Sequence, residues 1–134
     1  MKTVKDILNE KGKDVWHISP NTKVFDALRL MSEKNVGALL VIDSGKLQGI
    51  FSERDYARKV VLEGLSSKDL EVKRIMSSDV QIVTPESNSE ECMELMINKK
   101  IRHLPVYDND KLMGIISIGD IVKAVLDATN REIN

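Results

Sequence analysis

The chain has 134 residues, 42% hydrophobic and 31% charged, with a formal net charge of −1. That balance describes one globular domain able to bury a core unaided, and it lacks the basic footprint that nucleic acid or an anionic membrane would need. No apolar run approaches the ~20 residues of a bilayer span, residues 1–6 lack the apolar core of a signal peptide, and the single Cys92 forbids an internal disulfide, so a soluble protein of the reducing cytoplasm is expected.

In chain order, residues 4–8 read as a short lead-in helix, and residues 15–19 as a strand closed by Pro20. From Val24 to Lys34 apolar residues recur at helical spacing until Gly37 breaks the pattern. The continuous apolar run 38–42 predicts a buried strand, Asp43-Ser44-Gly45-Lys46 a hairpin turn, 47–51 the partner strand and 53–62 a second helix. Residues 63–69 fit no period and read as a linker, and 72–76 echo 4–8 as another lead-in helix. The order then repeats: strand near 81–84, helix 89–99, strand 104–107, turn 108–110, strand 111–116 and helix 118–128, with a tail at 130–134 expected to fray.

The repetition is close. Residues 18–60 lie over 83–125 without a gap, so that Pro20 falls on Pro85, Val41 on Val106, Gly49 on Gly114, Ser52 on Ser117 and Asp55 on Asp120. The lead-in segments match at a spacing of 68 rather than 65. Two copies are too few for a solenoid. They predict a mixed α/β (α+β) fold of two pseudo-two-fold-related β-α-β-β-α repeats packed through their sheets, residues 1–66 and 67–134, with a ligand expected at their seam.

Each copy ends a strand in Ser and starts a helix with Asp three residues on: Gly49-Ile50-Phe51-Ser52-Glu53-Arg54-Asp55 and Gly114-Ile115-Ile116-Ser117-Ile118-Gly119-Asp120. Ser-x-x-Asp is also what a helix cap needs, hydroxyl and carboxylate satisfying the free amides of the first turn. Two copies in register point beyond capping, because a helix start suits a phosphate and an Asp one turn in can accept bonds from ribose hydroxyls. Arg54, Arg58 and Lys59 in the first copy and Arg102-His103 in the second add positive charge; each alone is an ordinary surface charge. Cys92 falls on an apolar helical stripe and reads as a buried small hydrophobe. The two histidines lie in different halves and make a poor metal set. No phosphate-binding Gly-x-x-x-x-Gly-Lys-Ser loop, Cys–His pairing or Gly-rich dinucleotide fingerprint is present, so an enzyme is not expected.

With the doubled Gly-x-x-Ser-x-x-Asp ending and Arg102-His103-Leu104-Pro105-Val106, the chain resembles a tandem cystathionine-β-synthase (CBS) domain pair, or Bateman module, from about Val4 to Leu126. Ser52-Glu53-Arg54-Asp55-Tyr56-Ala57-Arg58-Lys59 looks like the small stand-alone prokaryotic type, with no attached enzyme or transporter expected. The resemblance implies a non-catalytic, energy-sensing regulatory module that binds AMP, ADP, ATP or an NAD-type dinucleotide between the repeats. It requires no cofactor, forms a disc-like homodimer and acts on a regulated protein. By the family's motif, Asp55 and Asp120 hold ribose hydroxyls, Ser52 and Ser117 contact ribose or phosphate, and Ile50 and Ile115 flank the adenine. The walls are implied to be His17, Ile18, Ser19, Pro20, Val36, Gly37 and Ala38 for the Asp120 cleft, and Val83, Thr84, Pro85, Arg102, His103 and Leu104 for the Asp55 cleft; Arg54, Arg58, Pro105 and Gly119 complete the set. The first half lacks Arg-His-x-Pro and the second has Gly119 in place of Arg54, so unequal clefts are expected. The alternatives are a protein-interaction module with an empty, degenerate cleft, or an S-adenosylmethionine sensor.

Overall fold

Apolar residues at helical spacing bury one stripe of each long helix: Val24, Ala27 and Met31 on α2 (Val24–Lys34), and Cys92 and Met96 on α4 (Ser89–Lys99). The computed structural model describes residues 1–133, with side chains through Thr129. Both helices stop alike, on a left-handed residue at equivalent positions, Asn35 and Lys100, each with φ 55°. Around them run α1 (Val4–Lys11), β1 (His17–Ile18), β2 (Ala38–Asp43), β3 (Lys46–Ser52), α3 (Glu53–Tyr56), β4 (His103–Asp108), β5 (Lys111–Ser117) and α5 (Ile118–Ile133). One sheet has the order β1-β2-β3 and the other is the β4-β5 hairpin. The fold is mixed helix and strand with two small sheets. In the β2–β3 turn Ser44 and Gly45 both take positive φ, 53° and 77°, the geometry that matches strand twist.

The chain divides into two compact units. One is continuous, Val15–Val80; the other joins Met1–Asp14 to Gln81–Asn134. This partition is not the one drawn at 66/67, because each lead-in segment sits in the unit built on the other repeat. Three backbone bonds show the equivalence. In the continuous unit Val24 N–H donates to Leu70 O (2.8 Å), Val72 N–H to Thr22 O (2.9 Å) and Lys73 N–H to Pro20 O (3.1 Å). In the discontinuous unit Ser89 N–H donates to Lys2 O (2.9 Å), Val4 N–H to Ser87 O (2.7 Å) and Lys5 N–H to Pro85 O (3.0 Å). One partner shifts by 65 residues and the other by 68, the two spacings read from the sequence.

The lead-in segments complete the cores. Val4, Ile7 and Leu8 join Leu104, Val106, Ile116, Ile121 and Ala124 in one, while Leu70, Val72 and Ile75 join Val24, Leu39, Val41 and Phe51 in the other. Both repeat glycines make room for this. A Cβ on Gly114 would lie 2.7 Å from Leu8 Cδ2, and one on Gly49 would lie 2.7 Å from Ser77 O.

Three expected elements differ. No strand forms over 81–84: Val83 makes one isolated parallel bridge to Val106. In the first half Leu40 N–H bonds Trp16 O at 3.2 Å; Pro105 stands at the equivalent place and has no N–H to extend the ladder. The second lead-in is a single 3₁₀ turn, Val72–Arg74, not a helix over 72–76. The helix expected over 53–62 is α-helical only to Tyr56 and continues as a π turn, Ala57–Val61, in which Leu62 N–H bonds Ala57 O five residues back (3.2 Å). The α5 backbone runs to Ile133; the fraying expected of 130–134 otherwise lies outside the described residues.

Candidate functional site

The hairpin registers pair Ala38 with Ser52 and His103 with Ser117, so each Ser-x-x-Asp corner leaves the sheet beside the first residue of its partner strand. The helix start is then tied to the loop entering that strand: Glu53 N–H donates to Gly37 O (3.1 Å) and Ile118 N–H to Arg102 O (2.9 Å). The expected capping bonds form at both corners. Asp55 N–H donates to Ser52 Oγ (3.2 Å) and Ser52 N–H to Asp55 Oδ2 (3.0 Å); Asp120 N–H donates to Ser117 Oγ (3.2 Å) and Ser117 N–H to Asp120 Oδ2 (2.8 Å).

Beyond the cap the two acids differ. Asp55 is 8% exposed, and both oxygens are occupied. Oδ2 also takes Ser52 Oγ–H (3.1 Å), and Oδ1 takes Ser77 Oγ–H (3.1 Å) and the Lys59 ammonium (3.1 Å). Lys59, one turn on, is held in place by a bond to Ile75 O at 3.0 Å. Asp120 is less enclosed, its side chain 21% exposed. Its Oδ2 takes Lys11 Nζ at 2.7 Å, and its Oδ1 has no partner among the described residues. Burial pushes the Asp120 carboxyl up, but the bonds from Lys11 and Ser117 outweigh it and hold the group below its ordinary value. Burial pushes the neighbouring His103 imidazole down; Lys11 and Arg102 add to that and Asp120 opposes it.

The continuous unit holds His17, Ile18, Pro20, Val36, Gly37, Ala38, Ile50, Ser52, Arg54, Asp55 and Arg58. Gly37, Ala38, Ile50, Ser52 and Asp55 meet at its corner, Ile50 exchanging backbone bonds of 2.9 Å with Ser77. Ile18 and Val36 pack against the core, and His17 is exposed on the parallel strand. The discontinuous unit holds Thr84, Arg102, His103, Leu104, Pro105, Ile115, Ser117, Gly119 and Asp120. Arg102, His103, Ile115, Ser117, Gly119 and Asp120 gather at its corner, whereas Leu104 is 0% exposed and its side chain is core. The sequence reading missed Lys11 and Ser77. Neither follows from the 65-residue repeat, because both come from lead-in segments that cross over Gly114 and Gly49. Two hollows are lined within single units: one of about 450 Å³ bounded by Leu28, Met31, Val36, Gly37 and Glu53, and a dent of about 70 Å³ between Lys11, Asp120 and Lys123. Cys92 is fully buried, as expected, and burial pushes its thiol up to about 11.

The CBS-domain profile matches residues 4–62 and 72–127. The chain belongs to the CBS-domain family. It is 39% identical to the mitochondrial CBS domain-containing protein CBSX3 of Arabidopsis thaliana, over 98% of this chain and 68% of that protein. Among solved structures it superposes on a CBS-domain protein of Burkholderia ambifaria MC40-6 with a TM-score of 0.91 and 49% identity, covering 94% of this chain and 95% of that one. CBSX2 in complex with AMP matches with a TM-score of 0.73 and 31% identity, covering 96% and 99%. CBS-domain proteins of this kind are regulatory modules. Among the described residues no helix is long and apolar enough to cross a membrane, and no His, Cys, Asp or Glu cluster has the makings of a metal site.

Proposed function

We propose that this chain is a non-catalytic regulatory module that binds an adenosine nucleotide, AMP, ADP, ATP or an NAD-type dinucleotide, with Asp120 as the ribose anchor. The observation that carries this reading is the difference between the two acids. Asp120 keeps Oδ1 open beside Ser117, whereas every oxygen of Asp55 is taken by its own unit. A vicinal diol needs an acceptor that is not already saturated, and only the second corner offers one. Asp55 then serves as a structural acid. The AMP complex of CBSX2 supports the ligand class, and the cations around Asp120 favour a phosphate-bearing ligand over S-adenosylmethionine. Ile118, Val122 and Leu126 lie a turn apart on α5 and remain 36%, 45% and 56% exposed, an apolar stripe that the expected homodimer would cover.

Calorimetric titration with AMP, ADP, ATP and NAD tests the reading. Asp120→Asn should weaken the best ligand at least roughly tenfold, the loss of one good charge-assisted pair, while its folding cost stays near the ~1 kcal/mol of a weakened cap. Asp55→Ala should invert that pattern. It strands buried donors and costs about 2–3 kcal/mol in urea unfolding, yet leaves affinity unchanged wherever the variant is folded. Full affinity in Asp120→Asn removes the ribose role.

A further inference from the structure

The lead-in helix α1 delivers one side chain to the acid corner that neither the repeat nor its motif contains. Thr3 caps α1 with a full capping box, Val4, Ile7 and Leu8 bury its inner face, and Gly12 ends it with φ 101°. Gly114, without a Cβ, lets Leu8 lie on β5. The last turn therefore ends over the corner, and Lys11 Nζ donates to Asp120 Oδ2 (2.7 Å) and to Ile115 O (2.9 Å). An ammonium has three N–H donors, and the third has no partner among the described residues. The Lys11 side chain is 31% exposed.

The charges beside it favour an anion. Lys123 lines the same dent, and Arg102 and His103 adjoin the corner. The one other acid in the dent, Glu10, is engaged through both oxygens by Lys2 at 2.9 Å. We propose that Lys11 is the phosphate-discriminating residue of the Asp120 corner: while Asp120 Oδ1 accepts a ribose hydroxyl, the free N–H of Lys11 donates to the phosphate next to that ribose. This rests on the nucleotide reading above. It gives one ammonium two tasks, since the bond that holds Lys11 on Oδ2 also fixes where its third donor points, and a nucleoside without phosphate leaves that donor to water.

The experiment is a pair of calorimetric titrations, AMP and adenosine, on wild-type protein, Lys11→Met and Lys11→Arg, with folding checked by thermal unfolding. AMP affinity should fall roughly tenfold or more in Lys11→Met, on the scale of a charge-assisted hydrogen bond. Adenosine affinity should change far less, and Lys11→Arg should recover most of the loss. Equal losses for both ligands would make Lys11 merely structural and overturn the proposal, as would unchanged AMP binding in Lys11→Met. Wild-type protein that binds neither of these ligands, and none of ADP, ATP and NAD, would overturn this proposal together with the nucleotide reading, whereas a preference for AMP over adenosine that persists undiminished in Lys11→Met would overturn this proposal alone.

Discussion

His103 reports the electrostatics of the second corner. Burial, Lys11 and Arg102 depress its imidazole and Asp120 only partly compensates, so its folded value lies below the unfolded value of about 6.5. Between the two values the unfolded chain binds more protons, and stability falls as pH drops through that window. Replacing His103 by Gln should therefore narrow the gap in melting temperature between pH 7.5 and pH 5.5, and an unchanged gap would mean the imidazole titrates as it does in the unfolded chain. Asp120 works lower on the scale. Its folded value is depressed, so the stability it contributes is present above about pH 4 and fades as pH falls through the folded value.

At the scale of elements, the packing of each lead-in segment turns on one glycine, and the two are not equally sensitive. A methyl on Gly49 meets a backbone carbonyl, Ser77 O, that is itself paired to Ile50 N–H at 2.9 Å, while a methyl on Gly114 meets the tip of Leu8, which has rotamers to use. Gly49→Ala should cost about 1–3 kcal/mol, the usual range for overpacking, and Gly114→Ala less; urea unfolding orders them. Much of this architecture is legible in the amino-acid order. The bounds of α2 and α4 follow from the spacing of Val24, Ala27 and Met31 and of Cys92 and Met96, and the hairpins follow from the apolar runs around Asp43-Ser44-Gly45-Lys46 and its copy. The Ser-x-x-Asp corners form where the motif puts them. What stayed hidden is non-local. Pro105 cancels a strand at 81–84 only because its missing N–H faces that segment. Lys11 and Ser77 reach their acids by crossing glycines whose role is space, which no single-chain period encodes.

At the scale of the whole molecule, the two compact units divide the chain in a way that ordinary half-cutting would violate. Residues 1–66 lack Leu70, Val72 and Ile75, which are core in the continuous unit, and carry an α1 whose partners lie beyond residue 80. Residues 15–80 keep their core whole. The fragment 15–80 should show a cooperative urea transition and 1–66 should not; the reverse order would make the exchange of lead-in segments incidental to stability. A nucleotide at ~100 times its dissociation constant should add about 2.7 kcal/mol to the intact protein, enough to read by melting.

That exchange also sets a timetable for the nascent polypeptide. At ~5–20 residues per second, Val4, Ile7 and Leu8 leave the ribosome on the order of ten seconds before Ile116 and Ile121, against which they finally bury. A middle unit that can close by itself in the meantime leaves the first helix with its greasy face orphaned for longest during synthesis, and so a place for a holding chaperone to grip.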